Sequence, residues 1–413
     1  MLALVYIHPM NRILTFISLV FCVVYLNADL MIYSESIFST TKVWMSPCNP
    51  ASLEIEIKKV QVFGSNYDIL IGTIGPVHID KNNRVFIGDS DQTKVHVFLK
   101  NGTFLTSIGR EGRGPGDFSA ITWRTSIASD SNHLFITDTQ SFNPNRANVY
   151  NLEDLKISHV LKLYADNIDD YSYLKGYAPE QLYPLSSEEI LVKYTQLIQN
   201  SGTETGSIYY MVQNKHGEII SQSIYQQEGT GYLKETVSNN TNKMEVLHIF
   251  PFQARSLFSS APNDFYYASS SEKFRIEVLD KTGRRIKIIE HPFENQKLSR
   301  KKLIKRYKEI NYMPQLGEGV AIKMLEKSEN LPPVWPALQQ MIVDDRNRIW
   351  VATIVEDFPI YEWWILESSG DVVSKFKWPR DRPIVQIAGD HFYTKEKADD
   401  TSDIVVKYSY QLN

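Results

Sequence analysis

The chain has 413 residues, with 44 basic and 48 acidic side chains and a formal net charge of −4. That near-neutral balance excludes a general nucleic-acid binder, which needs a basic excess to displace counterions from phosphate. Hydrophobic residues make up 43% and aromatics 12%, with 23 tyrosines, a composition that suits strands better than helices.

Asn11 and Arg12 form a short positive stretch, and Ile13 to Leu26 is then apolar except for Thr15 and Ser18. The run is short against the roughly 20 residues of a spanning helix and fits the apolar core of an export signal. Leu26-Asn27-Ala28 is an imperfect cleavage site. Residues 1–28 are therefore read as a signal peptide or a retained anchor, and 29–52 as a linker. Cys22 raises lipidation, but Phe21 stands where a lipoprotein signal has a small residue. Cleavage leaves Cys48 alone, so neither a disulfide framework nor a cysteine metal cluster is expected.

From residue 53 the chain repeats. Val77 to Asp80, Arg84 to Gly88, Lys94 to Leu99 and Phe104 to Ile108 are four short strands, with an Asn101-Gly102 hairpin before the last. Four antiparallel strands with short turns make one propeller blade. Blade two takes 126–128, 134–137, 147–151 and 158–163. Blade three takes 182–185, 190–194, 208–213 and 219–225. Blade four takes 256–259, 265–268, 274–279 and 284–290, and blade five 340–344, 348–352, 362–367 and 372–377. The last unit, 384–388, 391–395 and 404–411, has three strands. Its fourth is available in Leu53 to Phe63, which alternates at Ile55, Ile57, Val60 and Val62. Pairing the two ends would close the ring and hide two sheet edges. Residues 292–337 break the pattern, and Leu298 to Ile310 reads as a helix with Leu303, Ile304 and Tyr307 at helical spacing. The predicted fold is all-β: a six-bladed β-propeller over 53–413, closed by an N-terminal strand, with a short helical insertion between blades four and five.

Ile108-Gly109-Arg110-Glu111-Gly112-Arg113-Gly114-Pro115-Gly116-Asp117-Phe118 resembles the inter-blade connector of NHL-repeat propellers, as does Val85 to Asp89 followed by Val95 to Phe98. Residues 54–412 as a whole resemble the six-bladed, NHL-like propellers of exported bacterial proteins of the Bacteroidetes type. The resemblance implies export to the periplasm or cell envelope, with lipoprotein anchoring common among such proteins. NHL propellers bind protein, peptide or RNA, and a minority are metal-dependent lyases. Fold alone does not carry function.

The run Gly109 to Gly116 lacks the Gly-Lys-Ser/Thr ending of a phosphate loop and reads as a connector. Asp89 and Asp138 end equivalent strands, either as turn caps or as members of an axial calcium ring like that of lactonase-like propellers; Tyr194, Ser269 and Thr353 near this place in later blades weaken the ring. The histidines show no ligand spacing, and His96 is expected on one face of a strand. Trp363 and Trp364 must point to opposite faces of theirs. The basic face from Arg300 to Lys308 is read as solvated. No catalytic residue, metal site or cofactor is assigned. The connectors before the innermost strands converge on the axial mouth, so Arg113, Trp123, Arg124, Arg255 and Trp335 are the candidate ligand-binding residues. The functional expectation is a non-catalytic binding or scaffolding propeller at the cell envelope that recognises a protein, peptide or glycan. It makes no contact with nucleic acid, and touches membrane only through its N-terminus. The alternative is a metal-dependent lyase or lactonase-like hydrolase with an axial site.

Overall fold

The computed structural model describes residues 40–41, 53–64, 69–140, 143–163, 167–185, 189–196, 206–239, 242–310, 319–329, 331–355 and 359–413. The expected signal segment, Cys22 and Cys48 lie outside these residues. Two strands, β1 (Thr40–Thr41) and β2 (Ile55–Phe63), precede the first blade. Blade one is β3 (Ile74–Ile79), β4 (Val85–Asp89), β5 (Lys94–Phe98) and β6 (Phe104–Ile108). Blade two is β7 (Ile127–Ser129), β8 (His133–Gln140), β9 (Asn143–Asn151) and β10 (Ile157–Lys162). Blade three is β11 (Tyr177–Pro184), β12 (Glu189–Gln196), β13 (Ser207–Asn214) and β14 (Tyr225–Glu228). A separate hairpin follows, β15 (Leu233–Asn239) with β16 (Asn242–His248). Blade four is β17 (Ser256–Ser260), β18 (Tyr266–Ser270), β19 (Arg275–Leu279) and β20 (Arg285–Glu290). Two helices, α1 (Arg300–Ile310) and α2 (Val320–Lys327), separate it from blade five. Blade five is β21 (Gln340–Val343), β22 (Ile349–Thr353), β23 (Ile360–Leu366) and β24 (Val372–Pro379). The chain ends on β25 (Ile384–Ala388), β26 (His391–Lys397) and β27 (Asp403–Leu412).

The closing sheet has the order β1-β2-β27-β26-β25, so β2 supplies the outer strand of blade six. It pairs antiparallel with β27 from Ile55 opposite Leu412 to Phe63 opposite Val405, through one bulge. The apolar side chains of alternating strands meet between blades, and each of the six junctions has its own core. Phe63 and Val405 pack on Ile87 and Phe98 between blades six and one. Phe86 and Val97 pack on Ile136 between one and two, and Val149 on Val192 and Tyr194 between two and three. Tyr210 lies 4.0 Å from Phe258, stacked, between three and four. Phe274 meets Trp364 between four and five, and Trp350 meets Phe392 and Tyr410 between five and six.

Side chains also lace the inner strands around the axis. His78 Nε2 lies 2.8 Å from Ser129 Oγ, joining blades one and two. Ser259 Oγ accepts from the Val343 N–H, joining four and five. Gln340 donates to the Ile384 carbonyl, and Gln386 both donates to and accepts from the Ile79 backbone. A repeated Asp-x-x-x-Arg turn joins first and second strands. Asp80 accepts from the backbone of Asn82 and Arg84 and from Arg84 Nε at 2.7 Å. Asp344 does the same for Arg346 and Arg348, and also takes the Trp350 indole N–H at 3.0 Å.

Two details correct the sequence reading. The outer strand of blade three was expected at 219–225, but Ile219 makes only an isolated bridge to Gln213 and regular pairing starts at Tyr225. Ser221 and Ser223 hydroxyls take over backbone groups in between, which interrupts the ladder. The β15–β16 hairpin was not anticipated. It belongs to no blade.

Candidate functional site

The face carrying the connectors into the innermost strands bears a cap. β15 and β16 emerge between blades three and four, and α1 and α2 between blades four and five. They share one apolar core: Phe250, Phe252, Leu303, Val320, Met324, Leu325 and Trp335, with Leu233, Ile354 and Tyr361 against it. Phe250 and Phe252 stack at 5.1 Å, and Phe252 meets Trp335 edge-on at 6.3 Å. Lys327 of α2 pairs with Glu235 of β15. Arg300 of α1 donates to the Glu326 and Ser328 carbonyls at the C-terminal end of α2, where a cation opposes the helix dipole. The cap rests on the ends of blade five: Ile354 follows β22, and Tyr361 lies at the start of β23, level with the connector end of β21.

Polar side chains surround the mouth beside this cap. Arg255 directly precedes β17. Its backbone N–H donates to Ser271 Oγ and its carbonyl accepts the Ser271 N–H. The Ser271 carbonyl in turn accepts the Leu338 N–H, so Ser271 sets the start of β17 beside the start of β21. Gln339, the next residue, is only 5% exposed. Among the described residues, neither amide atom of Gln339 nor Arg255 Nε has a hydrogen-bond partner. Burial lowers the Arg255 pKa from the ordinary arginine value, opposed by the nearby Tyr361 phenol. On the blade-two side, the Arg124 guanidinium lies 4.8 Å above the exposed Trp123 ring. On blade three between them, Glu180 of β11 pairs with Lys193 of β12 at 2.6 Å. Burial pushes Glu180 up, yet the Lys193 ammonium and the charge of Arg124 hold it below the usual carboxylate value.

Of the five residues read from the sequence, the structure places Trp123 and Arg124 together in the blade-two connector and Arg255 under the cap. Arg113 is exposed on the Gly109–Asp117 connector, and its carbonyl accepts from Arg146. Trp335 is a correction: it is 8% exposed, and its ring packs in the cap core, where it is a wedge and not a ligand plate. Gln339 and Glu180 were missed. A lone Gln before a strand carries no signal, and Glu180 lies at a register break in β11 that no periodicity reveals.

The other candidates resolve into structure. In the Gly-rich run, Gly109 has φ +79°, and a Cβ there would lie 2.2 Å from the buried Phe118 ring, so glycine is needed for packing. Asp89 accepts from the Gly72 N–H and caps a turn through the N–H groups of Asp91 and Gln92, whereas Asp138 caps no turn but accepts from the distant Ser119 N–H and from Arg146 Nε, tying the connector to β8 and β9. His96 lies 2.9 Å from Ser107 Oγ through Nδ1 and 3.3 Å from Asp89 through Nε2. That chain has the order Ser–His–Asp, but its histidine is 2% exposed and its carboxylate is occupied by backbone, so it staples β4, β5 and β6. Trp363 packs between blades five and six and Trp364 between four and five, so both are junction residues. A cavity of about 480 Å³ lies away from the mouth, between β6 and the Glu153–Leu155 turn.

Residues 65–261 match a family model described as a 6-bladed beta-propeller, DUF5128. A protein of Bacteroides fragilis described as exported superposes with a TM-score of 0.50 at 14% identity, covering 89% of this chain and 98% of that one. A DUF4221 member from Bacteroides vulgatus gives 0.48 at 10% identity, over 88% of this chain and 100% of its own. Virginiamycin B lyase from Staphylococcus aureus gives 0.38 at 9% identity, over 86% of this chain and 99% of its own. No curated protein matches. With six junction cores, a ring closed by strand β2 and this match, the chain is a six-bladed β-propeller whose residues 65–261 match the DUF5128 family model.

Proposed function

We propose that this protein is an exported binding propeller of the cell envelope that holds a protein, peptide or glycan ligand at its capped axial mouth. The observation that carries the reading is the convergence of two insertions, from different inter-blade connections, onto one face. A lone insertion is tolerated anywhere on a surface, whereas two that build a common core on the connector face can frame a ligand site there. The groups on that face are the kind that orient a polar ligand: Arg255 and Gln339 with buried polar atoms, and the Trp123–Arg124 plate. Export is supported by the apolar N-terminal run and by the exported description of the Bacteroides fragilis protein with the same fold.

Site-specific photo-crosslinking in the native envelope tests the reading. A crosslinking residue at Trp123, on the mouth, should capture a discrete ligand, and the same residue at Ile288, exposed on the outer strand of blade four, should not. Capture at Ile288 with none at Trp123 would move the binding surface to the blade edges.

A further inference from the structure

We propose that Arg255 and Gln339 form a carboxylate-binding subsite at the capped mouth, which anchors one acidic end of the ligand. The inference rests on the binding role proposed for that mouth and adds the chemistry it selects. Buried polar atoms in folded proteins are almost always hydrogen-bonded, and an unpaired one calls for a reason. Here three such atoms fall on two residues at the starts of inner strands that Ser271 links through the Arg255 and Leu338 backbones, Arg255 directly before β17 and Gln339 directly before β21: Arg255 Nε, Gln339 Nε2 and Gln339 Oε1. Gln339 is 5% exposed, so bulk solvent does not serve it.

The charge balance points the same way. No acidic side chain is paired with Arg255 among the described residues, whereas Arg84, Arg146 and Arg348 each have an aspartate. A desolvated cation without a counter-charge is unfavourable by itself and becomes favourable when a ligand supplies the anion. One guanidinium matches one negative charge, and its planar fork fits the two oxygens of a carboxylate. The Gln339 amide donates through Nε2 and accepts through Oε1, so it suits a ligand with a hydroxyl or N–H next to its carboxylate. A sugar acid and a peptide C-terminus both present that pattern.

The test uses the full chain, with glucuronate and N-acetylglycine as probes and glucuronamide and N-acetylglycinamide as neutral controls. Thermal unfolding and calorimetric titration at constant ionic strength should show that a carboxylate probe stabilises the protein and its amide does not. Which acid works better identifies the source. Arg255→Met keeps the length of the stem and removes the charge. It should melt at the wild-type temperature or above, and should lose the carboxylate response by tenfold or more in affinity. Gln339→Leu should weaken the same response with the fold intact. A midpoint several degrees lower for Arg255→Met would show that the guanidinium has an internal structural partner and would overturn the proposal. So would a wild-type protein that responds equally to acids and amides. If that happens while crosslinking at Trp123 still captures a ligand, the mouth remains the binding face and only the carboxylate subsite is lost.

Discussion

Closure of the ring by β2 is the feature on which everything else stands, and it makes a quantitative demand. Along β2, Ile55 is 5%, Ile57 0% and Phe63 1% exposed, whereas Val60 is 48% exposed. The first two pack in the junction of blades five and six and Phe63 in the junction of six and one. Ile57→Ala removes a fully buried side chain from a junction that also holds Trp363 and Tyr410, a change of about 2–5 kcal/mol. Val60→Ala deletes comparable chemistry at an exposed position and should stay within about 0.5 kcal/mol. Deleting 53–63 removes all three buried side chains, together about 7–15 kcal/mol on the same scale, and opens the edge of β27. That loss equals the whole stability of an ordinary domain, about 5–15 kcal/mol, so the truncated chain should not fold. Urea unfolding followed by tryptophan fluorescence reads all three variants. An unchanged midpoint after the deletion, or equal losses for Ile57→Ala and Val60→Ala, would refute the closure.

Further outcomes follow from individual side chains. Asp344→Ala should destabilise by about 3–5 kcal/mol, because it leaves the Arg348 guanidinium buried without its partner and frees the Trp350 indole N–H; a urea midpoint within error of wild type would contradict this. His78 is held down to about 4 by burial, against the nearby charge of Asp80. Its contribution is therefore complete above its unfolded value near 6.5 and is lost as the pH falls towards about 4. Thermal midpoints measured from pH 7 to 4 should fall less steeply in His78→Phe than in wild type. Leu325→Asp puts a charge in the cap core, where Leu325 is 0% exposed, and should release the cap from an intact propeller. Limited proteolysis would then cut within 292–337 at least tenfold faster while the blades persist, and uniform degradation would show that the cap is part of the propeller's own stability. Because Ser107 serves a strand staple, a fluorophosphonate probe should leave it unlabelled; labelling would make it a nucleophile.

The blade grammar was readable because short apolar or alternating strands recur in groups of four and the turns between them carry residues with a local reason to turn. The Asn101-Gly102 pair and the Asp80 and Asp344 caps are of this kind, and the helix at 300–310 showed its own period. The hairpin at 233–248 escaped because it pairs only with itself, so no repeat advertises it. The irregular outer strand of blade three escaped because Ser221 and Ser223 replace ladder bonds with hydroxyl bonds, which alternation does not encode. Trp335 looked like a ligand plate because its place in the connector was right, but its aromatic neighbour Phe252 comes from a connector far away in sequence.

The same distinction explains why the fold was plain and the site was not. Each blade is a local object, and its residues announce it within about 35–50 residues, as expected of repeat units. The mouth is non-local: Arg124, Glu180, Arg255 and Gln339 come from four successive connections or inner strands, and only ring closure brings them to one face. Arg124 and Arg255 could be proposed from topology alone, because a connector position is a property of the repeat. Whether an arginine there is neutralised depends on residues outside its own blade. Arg146 finds Asp138 on the neighbouring strand of the same sheet. Arg255 instead faces an insertion whose core is aromatic and aliphatic, Phe250, Phe252 and Tyr361 among them. A junction core has no use for an unpaired cation, and each of the six is apolar at its centre. The carboxylate subsite proposed above would give the arginine beneath the cap a use that the ring does not.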